Sequence, residues 1–206
     1  MTLLQVEDLA VHFGGVKAVD GVSFSVEAGE VFSIIGPNGA GKSTLLLHLN
    51  GYLTPTGGQV RIGDYPLTRE TLREVRRTAG MVFQDPDDQL FMSTVFEDVA
   101  FGPLNLDLPV DEVTARVDKA LATVGLSHLK KRPPHRLSSG QKRRVAIASV
   151  LSMSPDILVM DEPSSGLDPR ARRQLIELLL SFHHTKIIAT HDLDMVVDLC
   201  GRIIVM

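Results

Sequence analysis

A chain of 206 residues can bury one substantial core, with or without an inserted subdomain, but not two full-sized domains. Its 44% hydrophobic and 22% charged residues are those of an ordinary globular protein, and a net charge of -4 gives no general attraction for nucleic acid. No stretch approaches the roughly 18 consecutive apolar residues of a membrane span, and Met1-Thr2-Leu3-Leu4-Gln5 lacks the basic start and apolar core of a secretion signal. The polypeptide is therefore expected in the cytosol, with any membrane contact made through partners. Cys200 is the only cysteine, which excludes a disulfide or a cysteine zinc site; in its apolar surroundings it is expected to be inert packing.

Leu4, Val6, Leu9, Val11 and Phe13 roughly alternate with polar residues, as do Val22, Phe24 and Val26, and both stretches predict half-buried strands. Val31–Ile35 is a continuous apolar run between Gly29 and Gly36, which predicts a central strand. A helix is expected over Lys42–Asn50, with Leu45, Leu46 and Leu49 at helical spacing and Gly51 as its stop. Thr54–Gly58 reads as a turn, and Gln59–Ile62 and Met81–Phe83 as short strands flanking a helix at Arg69–Arg77. The pattern then turns helical at Val95–Phe101, Asp111–Val124 and Ser138–Leu151, with breaks expected at Gly102-Pro103 and Arg132-Pro133-Pro134. Strands return at Ile157–Met160, Lys186–Thr190 and Arg202–Met206, separated by helices at Pro169–Phe182 and Leu193–Leu199. The expected fold is α/β: a sheet core built from residues 1–84 and 155–206, carrying a helical subdomain at 85–154. Basic residues cluster at Arg69–Arg77 and Lys130–Arg144, and such runs read first as solvated faces.

Gly36-Pro37-Asn38-Gly39-Ala40-Gly41-Lys42-Ser43 fits the pattern GxxxxGK[ST], with Thr44 following, between an expected strand and an expected helix. Its glycines let backbone N–H groups turn toward phosphate oxygens, and the helix adds the positive end of its dipole. Lys42 is expected to reach the β- and γ-phosphates, and the Ser43 hydroxyl to ligate Mg²⁺. Asp161, closing the apolar strand Ile157–Met160, reads as a direct or water-mediated Mg²⁺ ligand, and Glu162 as the carboxylate that orients or deprotonates an attacking water. Of the remaining histidines, His183 and His184 adjoin each other before a strand and His12, His48, His128 and His135 are scattered, and they suggest no metal centre.

With this loop, Leu137-Ser138-Ser139-Gly140-Gln141 and the Asp161-Glu162 pair, the chain resembles the ATPase subunits of ABC transporters over essentially its whole length. That resemblance implies a P-loop sheet core with an inserted helical subdomain, ATP and Mg²⁺ as ligands, and ATP hydrolysis. It also implies that Ser138, Ser139, Gly140 and Gln141 complete the ATP site of a second subunit. Gln84 resembles the family's Q-loop glutamine, a contact of Mg²⁺ and water, and His191 the histidine that meets the γ-phosphate. Phe13 falls where the family stacks an aromatic ring on adenine, although it also serves simply as the end of an amphipathic strand. Ser165-Gly166-Leu167-Asp168 matches the D-loop. One departure is Ser139, where the family carries a glycine whose replacement slightly crowds a closed dimer. Another is length: many relatives continue beyond the last apolar run, so a C-terminal regulatory or dimerising segment is expected to be absent.

Phe83–Phe91, with Gln84, Asp85, Asp87 and Asp88, followed by Val99-Ala100-Phe101-Gly102, resembles the ATPases of energy-coupling-factor importers, and Arg132-Pro133-Pro134-His135 the cobalt or nickel branch. The partners implied are a second ATPase, identical or not, a transmembrane coupling subunit and a membrane subunit that captures the substrate, at the cytoplasmic face of the cell membrane. A vitamin or other micronutrient importer of the same type stays open. A soluble ABC protein of the ribosome or of DNA repair would need tandem halves or a coiled-coil insert. A non-hydrolysing regulator would be expected to lack Glu162 or His191, and both are present. Asp85, Asp87 and Asp88 are expected to attract basic residues of a membrane partner or to form a solvated acidic turn.

Overall fold

Residues 1–199 and 201–206 are described in the computed structural model, so the expectation for Cys200 lies outside the described residues. In chain order the strands and helices are β1 (Thr2–Phe13), β2 (Val16–Glu27), β3 (Val31–Ile35), α1 (Lys42–Leu49), β4 (Gly57–Ile62), β5 (Tyr65–Pro66), α2 (Leu72–Thr78) and β6 (Ala79–Val82), then α3 (Val95–Asn105), α4 (Val110–Thr123), α5 (Ser139–Leu151), β7 (Ile157–Asp161), α6 (Pro169–Leu180), β8 (Thr185–Thr190), α7 (Leu193–Leu199) and β9 (Arg202–Val205). Two compact units result: Met1–Met81 with Asp156–Glu162 and His183–Met206, and Val82–Pro155 with Pro163–Phe182.

The first unit is built on sheets. Five strands in the order β6-β7-β8-β3-β9 form one sheet, with β3, β7, β8 and β9 paired in parallel. Every residue of β7 and β8 is buried, as expected for parallel strands covered on both faces. β3 lies between β8 and β9, the interior place its unbroken apolar run predicts, and α1 packs against β7 and β8. The α/β class expected from the sequence is the one observed.

A separate antiparallel sheet runs β2-β1-β4-β5. The alternation along β1 is imperfect for a physical reason. Leu4 and Val6 are buried on one phase, Leu9 and Val11 on the other, and the register shifts between them. Asp8 absorbs the extra residue with a φ of +47°, while its N–H donates to Ser23 Oγ at 2.8 Å and Ser23 Oγ donates to its carboxylate at 3.2 Å. α2 starts at Leu72, later than the expected Arg69, because the Thr71 hydroxyl donates to Pro66 O and accepts from the Thr68 N–H at 3.1 Å, holding residues 66–71 in a turn.

The second unit is helical, with α3, α4 and α5 in mutual contact. The break expected at Gly102-Pro103 does not occur: α3 runs through both residues to Asn105. Pro103 has no N–H for the carbonyl of Val99 one turn earlier, but Ser152 Oγ donates to that carbonyl at 2.8 Å. Gly102 serves a different purpose. A Cβ there would lie 2.6 Å from Met153 Cγ, so this glycine is a contact surface and not a stop.

Candidate nucleotide site

The phosphate loop connects β3 to α1 in the first unit. Gly41, at the start of α1, has a φ of +92°, and a Cβ on it would sit 2.1 Å from the carbonyl oxygen of Ala18 on β2. Gly39 needs its glycine only for conformation, with φ +83° and open space around it. At Gly36 a Cβ would meet Met206 O at 2.6 Å. No side chain caps α1 and its first turn contains no acid, so its N–H groups remain oriented for an anion. Ser43, in that first turn, is exposed.

Lys42 is buried, with 6% exposure, and Nζ donates to Gly36 O at 2.9 Å and Pro37 O at 3.1 Å. It lies 3.6 Å from Glu162 Oε1. Glu162 is equally buried and has a φ of +43°, a strained value for a residue with a side chain. Its N–H donates to Ala189 O at 2.8 Å. The other carboxylate oxygen, Oε2, accepts from Thr190 Oγ1 at 3.2 Å and the His191 N–H at 3.3 Å, and lies 2.9 Å from His191 Nδ1. Lys42, Glu162 and His191, far apart in the chain, are thus brought together because β7 and β8 are neighbours and the loop precedes the helix that packs on them. Asp161 is buried at the end of β7. Phe13 is 54% exposed at the tip of the β1–β2 hairpin, and the approach of Ala18 to Gly41 seats that hairpin against the phosphate loop. An exposed ring in this place suits stacking on a base.

Gln84, the Leu137–Gln141 segment and Ser165–Asp168 belong to the second unit. Gln84, Asp87, Leu137, Ser139, Arg143 and Gly166 are among the residues lining a cleft of about 490 Å³ there. Ser138 caps α5: its Oγ accepts from the Gln141 N–H at 3.3 Å, and Gln141 Oε1 accepts from the Ser138 N–H at 3.0 Å. Capping uses the oxygen of Ser138 as acceptor and leaves its O–H available as a donor. A Cβ on Gly140 would lie 3.0 Å from that of Ala171 on α6, whereas Ser139 is exposed. Asp168 caps α6 by accepting from the N–H groups of Arg170 and Ala171, both at 2.9 Å.

The acidic turn is largely spoken for within the chain. Asp87 accepts from Lys142 Nζ at 2.6 and 2.8 Å, and Asp85 accepts from the Asp87 N–H at 2.9 Å. Among the described residues no group of three or more His, Cys, Asp and Glu side chains is placed to hold a metal ion. His48 is buried with Nδ1 2.6 Å from Thr44 O, a hydrogen bond within α1. No helix among the described residues is long and apolar enough to cross a membrane.

Sequence reading missed two side chains. Thr190, which donates to Glu162, carries no signal beyond preceding His191. Arg143 falls in a basic run that reads as solvated, yet it is 2% exposed. Its row along α5, Ala146, Ile147 and Val150, is apolar and buried, and that spacing was visible in the sequence.

A strand, a glycine loop ending in Lys-Ser and a helix on a parallel sheet define a P-loop nucleotide-binding fold. The chain belongs to the ABC transporter family, whose profile matches residues 19–165. It is 65% identical over 205 residues to a Geobacter sulfurreducens protein provisionally named an ABC transporter ATP-binding protein, covering 99% of this chain and 82% of that one. Identity to the energy-coupling factor transporter ATP-binding protein EcfA of Methanocaldococcus jannaschii is 49% over 212 residues, covering 100% and 76%. The structure of CbiO1 from Clostridium perfringens, part of the ABC transporter complex CbiONQ, superposes with a TM-score of 0.90 at 44% identity, covering 100% of this chain and 84% of that one. A dimeric ATP-binding cassette in a post-hydrolysis state with ADP and Pi superposes with a TM-score of 0.87 at 28% identity, covering 99% and 94%. The chain is an ATP-binding, ATP-hydrolysing subunit of this family.

Proposed function

We propose that this ATPase powers an importer of the energy-coupling-factor type whose cargo is cobalt or nickel ions. The observation that carries the reading is the likeness to EcfA and to CbiO1 over the whole of this chain, joined to the segments Phe83–Phe91 and Arg132–His135. In this reading residues 1–206 are one ATPase domain, with the helical subdomain at 85–154 and the sheet core at 1–84 and 155–206. It works at the cytoplasmic face of the membrane, docked with a second ATPase on a coupling subunit that serves a separate substrate-capture subunit. Co-expression with a candidate coupling subunit and capture subunit, followed by uptake of radioactive cobalt and nickel, tests this. ATP-dependent uptake of neither metal by an assembled complex overturns the cargo. Failure to assemble overturns the type. Asp88→Lys is the informative docking variant, since Asp87 is already paired with Lys142.

In the proposed site Phe13 stacks on adenine, and Gly36 to Thr44 wrap the phosphates with their N–H groups while Lys42 meets the γ-phosphate. Ser43, Asp161 and Gln84 would hold Mg²⁺. An exposed hydroxyl, a carboxylate and an amide oxygen suit an ion that takes few protein ligands and shares the rest between water and phosphate. When bound, the ion neutralises charge on the phosphate oxygens. Glu162 accepts a proton from the attacking water, with Thr190 and His191 fixing the direction of its carboxylate. His191, 61% exposed at its side chain, is able to face the γ-phosphate while it remains beside Glu162. Ser138, Ser139, Gly140 and Gln141 close over the ATP of a second chain. Light scattering of a Glu162→Gln protein with Mg-ATP reads this directly: a stable dimer is expected, and a monomer at saturating ATP overturns homodimer closure.

A further inference from the structure

Helix α5 holds the segment that follows β6 through four successive anchor points. Lys142 Nζ donates to the Asp87 carboxylate, and Arg143 donates to Phe83 O at 2.8 Å and Gln84 O at 2.7 Å. Gln89 Nε2 donates to Ala146 O at 2.9 Å and Ser149 Oγ at 2.8 Å, while Gln89 Oε1 accepts from the Phe83 N–H at 3.2 Å. Arg143 also reaches Ser165 O at 3.5 Å, on the turn before α6. The backbone around Gln84 is therefore fixed while the residue itself remains exposed.

Arg143 is an expensive choice for this place. At 2% exposure its cation has left water, and an aliphatic side chain in the same helical row as Ala146, Ile147 and Val150 would fill the core without that desolvation. What only a planar fork supplies is simultaneous donation to two successive carbonyls. Successive carbonyls of an extended strand point in opposite directions, so bringing both to one guanidinium fixes the bend at residues 83–84. That bend sets the direction in which the Gln84 side chain leaves the chain.

We propose that Arg143 is a positioning residue for hydrolysis: it orients Gln84 and ties the Gln84 segment and the Ser165 turn to the helix that begins at Ser139. The proposal rests on the role given to Gln84 above. It means that displacement of α5 reaches the Gln84 carbonyl directly through Arg143, with Lys142 and Gln89 holding the flanking residues.

The test is a double-mutant cycle on the full chain, reading kcat, nucleotide affinity with a fluorescent ATP analogue, and Tm. Arg143→Gln should lower kcat by about tenfold or more, the scale of a displacement of a reacting partner by under an ångström. Nucleotide affinity should stay within about twofold, because the phosphate loop is untouched. Arg143→Lys, able to satisfy one carbonyl at a time, should recover part of kcat. In a Gln84→Ala background the same Arg143→Gln change should alter kcat by less than about threefold. An equal loss in both backgrounds, or loss of affinity and Tm in step with kcat, would show a purely structural role and overturn the proposal. Gln84→Ala turning over like wild type would overturn the Gln84 role and this proposal with it. An impaired Gln84→Ala with additive Arg143→Gln overturns this proposal alone. If Arg143→Gln unfolds at the assay temperature, Arg143→Lys carries the same cycle.

Discussion

Glu162→Gln separates chemistry from architecture because the two oxygens of Glu162 have different tasks. Oε2 is the acceptor for Thr190 Oγ1 and the His191 N–H, and a glutamine carbonyl can replace it there. Oε1 lies 3.6 Å from Lys42 Nζ, and there the amide loses an ion pair. At this separation the gross Coulomb term is about 5 kcal/mol at an effective dielectric constant of about 20. Much of it is returned, because a buried carboxylate no longer has to be desolvated and Lys42 keeps its bonds to Gly36 O and Pro37 O. The net loss of stability should be about 1–2 kcal/mol, or a fall in Tm of about 2–8 °C for a chain of this size. Turnover should fall by about 10²–10⁴, equivalent to about 3–5 kcal/mol in the barrier. The assays are steady-state phosphate release, equilibrium binding of a non-hydrolysable ATP analogue, and thermal melting. Binding at least as tight as wild type is expected. A variant that turns over normally removes Glu162 from proton transfer, and one that fails to fold refutes the exchange of acceptors just described.

Ser152→Ala should destabilise the chain by about 1–3 kcal/mol by leaving Val99 O without its donor, and adding Pro103→Ala should restore much of that by supplying the missing N–H; additive losses in chemical denaturation would refute the account of α3. Gly41→Ala should abolish nucleotide binding or folding because its Cβ runs into Ala18 O, whereas Gly39→Ala, strained but unobstructed, should lose only about 1–2 kcal/mol; equal effects in denaturation and ATP titration would contradict this. Burial raises the Asp98 carboxyl above the ordinary carboxylate value of 3.8, against the N–H donors of Met92 and Phe91. A raised folded-state pKa favours the protonated form, so this contribution to stability is complete below the unfolded value and is lost as pH rises through the folded one. The Tm of Asp98→Asn relative to wild type should therefore climb with pH across that acid window and then level off; a constant difference would rule this out.

The sequence displayed what depends on neighbours a few residues apart. Gly36 to Ser43, with the apolar strand before it and the helix after it, is such a local pattern. What depends on a partner distant in the chain stayed hidden. Nothing near Pro103 signals that Ser152 will serve its orphaned carbonyl, and nothing near Asp8 signals that Ser23 will stabilise a bulge. Arg143 lies between these cases. Its charge suggested water, while its helical row pointed inward, and the row decided. Asp87 shows the same limit: the acidic turn left an outside partner and a solvated turn both open, and nothing near it signals the ion pair with Lys142 on α5.

The placement of β3 has a consequence for biosynthesis. The antiparallel sheet uses strands that leave the ribosome in quick succession, with β1 paired to β2 and then to β4. The strand that launches the phosphate loop has no such early neighbour. Val31 pairs with Lys186 and Phe32 with Arg202, so β3 stays unpaired at both edges until β8 and β9 have been translated. Pairing across so long a stretch is slow to close. A nascent or truncated chain therefore carries the complete glycine loop in its sequence yet cannot present it on a sheet. The sheet end of the nucleotide site is thus assembled only once β8 and β9 are in place.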